Sequence, residues 1–200
     1  TYPEDQQLAG ISFATSVGTI ALSGEVTHKF DVPFQINKTV LLGAAFQGPT
    51  TLAGDSILGT NNLAGLNLFA QDAAAGADGE IITGYKTFDV TQLQMTALQL
   101  FDQVLGASRI AVVAEAGYTF AHDFDDSASN AIKFGGNYAV VDTVTESSWG
   151  YRGRIVGEYN DVFAGVNLSP VFSFSHDVDG VSPTPGGNFK EGEKTLGFSL

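Results

Sequence analysis

The chain's 200 residues suit one domain or a part of a larger one. Its charge is sparse and lopsided, 16% charged residues with nine Lys and Arg against 22 Asp and Glu, a formal net charge of −13. That balance excludes a nucleic-acid partner, because too few cations exist to replace phosphate counterions, and the absence of Cys excludes disulfides, thiolate metal sites and Cys nucleophiles. No run approaches the roughly 18 apolar residues of a membrane-spanning helix, which leaves strands as the remaining means of crossing.

Alternation with period 2 is the dominant pattern. From Ala9 to Val17 one phase carries Ala9, Ile11, Phe13 and Val17, and the other Gly10, Ser12, Ala14 and Ser16. A Gly18-Thr19 turn leads to a second strand with Ile20, Leu22, Val26, His28 and Phe30 against Ala21, Ser23, Glu25, Thr27 and Lys29. A strand begins again near Phe88. There Leu93 and Met95 share a phase that Leu98 and Leu100 do not, which predicts a β-bulge near Ala97. After a turn at Asp102–Gly106, Ile110, Val112, Ala114, Ala116, Tyr118 and Phe120 alternate with Arg109, Ala111, Val113, Glu115, Gly117 and Thr119. Trp149, Tyr151, Gly153, Ile155, Gly157 and Tyr159 then alternate with Gly150, Arg152, Arg154, Val156 and Glu158. A turn at Asn160–Ala164 sends the chain back through Val166, Leu168, Pro170, Phe172 and Phe174. A last strand holds Leu196, Phe198 and Leu200 in phase, for about seven strands in all.

One apolar face suits a soluble sandwich or lipocalin-like barrel as well as a membrane barrel. Three features favour the membrane. The ionised side chains of these strands, Glu25, Lys29, Arg109, Glu115, Arg152, Arg154 and Glu158, all fall on the polar phase, as a lipid-facing surface requires. Aromatic residues gather near strand ends, with Phe30, Tyr118, Phe120, Trp149 and Tyr151 toward one rim and Phe101, Tyr159 and Phe163 toward the other. Connections alternate between short turns and long loops at 31–86, 122–148 and 177–193, the asymmetry of short periplasmic turns and long extracellular loops. The expected fold is therefore all-β: an antiparallel up-and-down transmembrane β-barrel of which residues 1–200 supply a single segment.

The run Trp149-Gly150-Tyr151-Arg152, then Glu158-Tyr159-Asn160, Val162-Phe163-Ala164-Gly165-Val166-Asn167-Leu168-Ser169-Pro170 and Phe174-Ser175-His176-Asp177-Val178-Asp179-Gly180, resembles a Gram-negative outer-membrane family, domain of unknown function 1302. Tyr2-Pro3-Glu4-Asp5, Val32-Pro33-Phe34-Gln35-Ile36-Asn37 and Phe101-Asp102-Gln103-Val104-Leu105-Gly106-Ala107-Ser108 fit it too. The resemblance implies a bacterial outer-membrane barrel, longer than this chain. It further implies export or uptake of hydrophobic compounds, with an inner-membrane efflux-type transporter and a periplasmic lipoprotein as partners, and it supplies no catalytic or binding residues. The chain starts at Thr1 without a Met or a signal peptide and shows an odd number of strands. It is expected to be a middle segment of the whole protein, since single-chain bacterial barrels have even strand counts.

The candidate lumen-lining residues are Glu25, Lys29, Arg109, Glu115, Arg152, Arg154 and Glu158. They would either set a transverse field for a passing solute or form an ion-pair network that holds the barrel's shape. Thr39–Gln47 is unusually apolar for a loop. A short helix there, capped by Asn37 or Thr39, would place Leu41, Leu42 and Phe46 as a plug or constriction, or pack them on the rim. Asp123, Asp125, Asp126, Asp177 and Asp179 offer carboxylates to loop-bound Ca²⁺ or Mg²⁺ bridging lipopolysaccharide, although neither cluster has the twelve-residue calcium-loop pattern and solvated charge is the simpler reading. Ser175-His176-Asp177 spells a triad, but adjacent strand residues project to opposite faces, and no hydrolase elbow, P-loop or dinucleotide motif is present. No enzyme activity is expected. A channel or transport component for hydrophobic or amphiphilic small molecules leads, ahead of a plugged structural or surface-interaction barrel and, third, a lipid-modifying enzyme.

Overall fold

The computed structural model describes residues 5–36, 84–125, 134, 144–183 and 188–200. Eight strands form one antiparallel sheet: β1 (Leu8–Val17), β2 (Ile20–Gln35), β3 (Tyr85–Asp102), β4 (Arg109–Ala121), β5 (Ser147–Phe163), β6 (Val166–Leu168), β7 (Val171–Asp179) and β8 (Lys194–Ser199). Each strand pairs with the next, and β6 and β7 are two parts of one return strand alongside β5. Pro170 lies at their break, where it has no N–H to give to a ladder. The sheet is an up-and-down meander that does not close on itself, so β1 and β8 are its edges.

The hairpins follow from local backbone chemistry. Gly18 has φ 62°, which lets a two-residue turn join β1 to β2 with Val17 opposite Ile20. The third hairpin turns later than its sequence suggested. β5 continues to Phe163, and Ala164-Gly165, both at positive φ, make the turn, with Asp161 accepting a 2.9 Å bond from the Gly165 amide. The long connections are correspondingly shorter than expected, since β2 runs on to Gln35 and β3 already begins at Tyr85.

Register fixes the faces. Leu93 to Gln99 pair in unbroken sequence with β2, and Leu93 to Leu100 with β4, so there is no bulge at Ala97. Leu98 and Leu100 simply lie on the polar phase, opposite Val113 and Ala111. Irregularities occur instead at Asp31 (φ 51°), between the Lys29↔Val90 and Val32↔Phe88 pairs, and at Val178. All seven predicted wall charges share one face: Glu115 lies opposite Arg152, Arg109 opposite Glu158, and Arg154 opposite Val113. On the other phase the charged exceptions Asp89, Asp179 and Lys194 sit toward the long-loop ends of their strands.

No second layer packs on the apolar phase among the described residues. Ile11 is 75% exposed, Ile155 43% and Phe172 46%. The buried cluster lies on the opposite face, at the long-loop end, where Phe34, Ile36, Phe88, Val90, Ala121, Phe124, Phe134 and Val144 come together. The bulge at Asp31 makes this possible, because it shifts Val32 and Phe34 onto the phase of Phe88 and Val90. Ring centroids of Phe88 lie 5.0 Å from Phe34, 5.4 Å from Phe124 and 5.5 Å from Phe134, within the range for favourable edge and tilted contacts. Phe88→Ala should lower the free energy of unfolding by about 3–5 kcal/mol, the usual cost of emptying an aromatic site. A urea titration showing a loss under about 1 kcal/mol would mean that the cluster is not what secures this end of the sheet.

Candidate functional site

The polar face divides into three zones. At the long-loop end is the aromatic cluster. The middle is a hydrophilic belt containing Glu25, Gln92, Gln94, Glu115, Thr119, Arg152 and Arg154, in register across β2 to β5. Toward the short turns, Leu98, Leu100, Ala111, Val113, Val156 and Val171 form an apolar patch, closed at its lower edge by the 3.1 Å ion pair of Arg109 Nε with Asp102.

After β7, residues 180–183 and 188–193 fold onto this belt. Gly180, at φ 80°, sits where a Cβ would meet the Ser147 carbonyl, and its turn brings Val181 beside Thr145. Ser182 is buried, with its hydroxyl 2.8 Å from that of Ser148 on the wall, and the Phe189 amide donates to the same Ser182 oxygen at 3.2 Å. The Lys190 amide donates to Asp177 Oδ2 at 2.9 Å. Phe189 is thereby laid over Gly117 and Gly150, which are cross-strand neighbours on the polar face. A Cβ on Gly117 would come within 3.1 Å of the Phe189 ring. One on Gly150 would meet that ring at 3.0 Å and the His176 carbonyl at 2.7 Å. Only glycine leaves a flat place for the ring to rest on.

Phe189 separates two clefts. One, of about 250 Å³, is lined by Glu25, Thr27, Gln92, Glu115 and Thr119. The other, of about 680 Å³, is lined by Val113, Arg152, Arg154, Ser173, Asp177 and Glu193; Glu115, Arg152 and Phe189 border both. Among the described residues the ion-pair network envisaged for the wall is not formed. The ion pairs are Arg109 with Asp102 and a 3.8 Å contact of His28 with Asp89, and Arg152 is not within 4.0 Å of Glu115 despite lying opposite it. Lys29 instead donates to Gln92 at 2.8 Å.

A second constellation lies on the apolar phase near the long-loop rim. Thr91 Oγ1 is 3.0 Å from His28 Nδ1 and 2.7 Å from His122 Nε2, and the two imidazoles are 5.3 Å apart. The hydroxyl has one proton, so it donates to one ring and accepts an N–H from the other. Asp89 flanks the group while also accepting the Asp31 amide at 3.0 Å, which steadies the bulge. Thr91 is paired on both sides, with His28 and Phe120, so the amides around it serve the ladders and offer no oxyanion site. The arrangement ties the rim of three strands together.

Ser175 and Asp177 lie opposite Arg152 and Gly150 on the polar face, whereas His176 lies opposite Tyr151 on the other, so these three do not form a relay. Of the acidic residues weighed for cations, Asp177 holds the Lys190 amide. No three acidic or histidine groups converge among the described residues, and Asp126 lies outside them. Leu41, Leu42 and Phe46 also lie outside the described residues.

Sequence reasoning did not find Phe189, Thr91, His122 or the aromatic cluster. A signal for the first existed: two glycines, Gly117 and Gly150, on the charged phase of adjacent strands mark a place of close approach. The fold and this face define an all-β antiparallel meander whose polar side is partly covered by its own connections. The chain belongs to the DUF1302 family, proteins of unknown function, whose family model matches residues 1–200. No curated protein and no solved structure matches it.

Gly150→Val should dislodge Phe189 and raise hydrogen exchange at the Ser182 and Phe189 amides by roughly 5- to 100-fold, as overpacking commonly does. Gly153→Ala, whose added Cβ finds only Val113 O at 3.9 Å, should leave those amides unchanged. Equal rates in both variants would show that the ring does not depend on the glycine shelf.

Proposed function

We propose that this chain forms part of a bacterial outer-membrane β-barrel that acts as a channel or transport component for hydrophobic or amphiphilic small molecules. The observation that carries the reading is the division of the sheet. Among the described residues, large apolar side chains on one face have no protein covering them, and the wall charges collect on the other. A contiguous apolar face of this extent is more than a soluble monomer normally exposes to water. Hydrocarbon is the medium that suits it. From the row of Phe101 and Ile110 to the row of Tyr118 and Trp149 the strand path is about 26 Å at roughly 3.3 Å per residue. That is comparable with the apolar band and its flanking aromatic girdles in transmembrane barrels.

On this reading the edges at β1 and β8 each pair with further strands of a closed barrel, because no sheet edge survives in lipid. The short turns at Gly18-Thr19, Gln103–Ser108 and Ala164-Gly165 face the periplasm, and the long loops face outward toward lipopolysaccharide. An inner-membrane efflux-type transporter and a periplasmic lipoprotein are the partners the reading anticipates. The apolar patch within the polar face suits amphiphilic cargo. A plugged structural barrel is the second reading, favoured by the aromatic cluster and the Phe189 segment, which together occupy the polar side.

Planar-bilayer conductance of the complete protein separates the two. Stepwise conductance is expected; its absence, even after the β2–β3 connection is removed, would favour the plug. The membrane placement has its own check. Ile155→Arg should cost about 2–4 kcal/mol in the bilayer-folded state, whereas Val156→Arg on the opposite phase should cost roughly 1 kcal/mol or less. Equal effects in a lipid-vesicle refolding assay would overturn it.

A further inference from the structure

We propose that the larger cleft and the aliphatic strip beside it bind an amphiphilic carboxylate, whose head group is held in the cleft by Arg154 and Arg152 and whose hydrocarbon tail runs over Val113 onto the adjoining Leu98 and Val156. The proposal rests on reading the polar face as the lumen wall, and it adds the chemistry of the cargo.

Cations are scarce in this protein, with three Arg among nine basic residues. Two of those three stand one alternation apart on the same face of β5. Each is exposed to the cleft of about 680 Å³, a volume within the range that takes small organic ligands. Arg154 has no acid across from it on either side: its neighbours are Val113 on β4 and Ser173 on β7. Arg152 faces Glu115 and Ser175, and its guanidinium makes no ion pair with Glu115 within 4.0 Å. Guanidinium groups recognise carboxylates through two parallel N–H donors, and a site of this kind is strongest where no resident acid competes.

Of the acids that border the same cleft, the Asp177 carboxylate already accepts the Lys190 amide, Glu193 is bonded through its backbone to Asp177 and Lys190, and Glu115 stands opposite Arg152, which leaves Arg154 as the arginine with no acid across from it. Beyond Arg154 the wall changes character within one residue pair. Val113 is opposite Leu98, and Val156 is opposite Ala111 and Val171. These side chains are half-buried, unlike the exposed arginines. A charged fork beside an apolar strip on one wall matches a molecule with one anionic end and a hydrocarbon body. A neutral alcohol would leave the arginines unanswered, and a cationic amphiphile would be repelled by them.

The test uses the complete protein in lipid nanodiscs, titrated calorimetrically with octanoate, octanol and octylammonium, with conductance recorded on the same preparation. Saturable octanoate binding is expected, with octanol and octylammonium at least tenfold weaker. Arg154→Gln should weaken octanoate by roughly 10- to 100-fold, the scale of a lost charge-assisted hydrogen bond. Lys194→Gln, on the other face of the sheet opposite His176, should leave it unchanged. Equal affinity for octanoate and octanol, or an Arg154→Gln variant that binds as the parent does, overturns the proposal. Conductance without octanoate binding overturns the site and leaves the channel standing. Octanoate binding without conductance upholds the site and removes the channel.

Discussion

Everything in this molecule depends on the coupling of side-chain alternation to strand register. In an antiparallel ladder, residues directly opposite one another share a face, so each pairing carries the phase of one strand to the next. Glu25, Gln94, Gly117 and Gly150 form one such row, and Phe13, Gly24, Met95, Ala116 and Tyr151 form another. A slip of one residue at the β4–β5 ladder would carry Arg152 to the apolar side of β4 and Ile155 to the polar one. The register is strongly specified for that reason, and the two faces stay chemically distinct across the whole width of the sheet.

The polar side is graded rather than uniform. Aromatic packing closes its long-loop end, charges and amides occupy the middle, and aliphatic residues line the part nearest the short turns. Two local features add aromatic rings to this face. The positive-φ residue Asp31 turns Phe34 inward to meet Phe88, and the Gly117–Gly150 shelf admits Phe189 against the wall. Both bring a large ring onto the polar phase, one through a bulge and the other through two glycines paired within a regular ladder. Irregular pairing near functional surfaces commonly re-aims side chains in this way.

The same logic explains what lies at the rims. The hydroxyl of Thr91 between His28 and His122 gives polar groups on the apolar phase a partner of their own where that phase meets the long connections. At the other end, the Arg109–Asp102 pair and the Asn160 amide, which donates to Ser108 at 3.1 Å, brace the short turns. The proposed carboxylate site belongs to the middle ground between these ends, where Arg154 borders the aliphatic strip and no acid answers it across either ladder.

The sequence alone determined the strands, their antiparallel order, the two faces and the common side of Glu25, Lys29, Arg109, Glu115, Arg152, Arg154 and Glu158. Period-2 alternation is a local property, and Gly18-Thr19 is a local turn signal, so neighbouring residues suffice to read them. Tertiary structure decided the rest. The phase conflict at Leu98 and Leu100 looked like a bulge because a chain read by itself is expected to keep one apolar side; the ladders with β2 and β4 show instead that the polar face has an aliphatic zone. The true bulge at Asp31, the seat of Phe189 and the meeting of Thr91 with His122 each join residues far apart in the chain or depend on a single dihedral. Such contacts have no periodic signature, and only the assembled sheet brings them together.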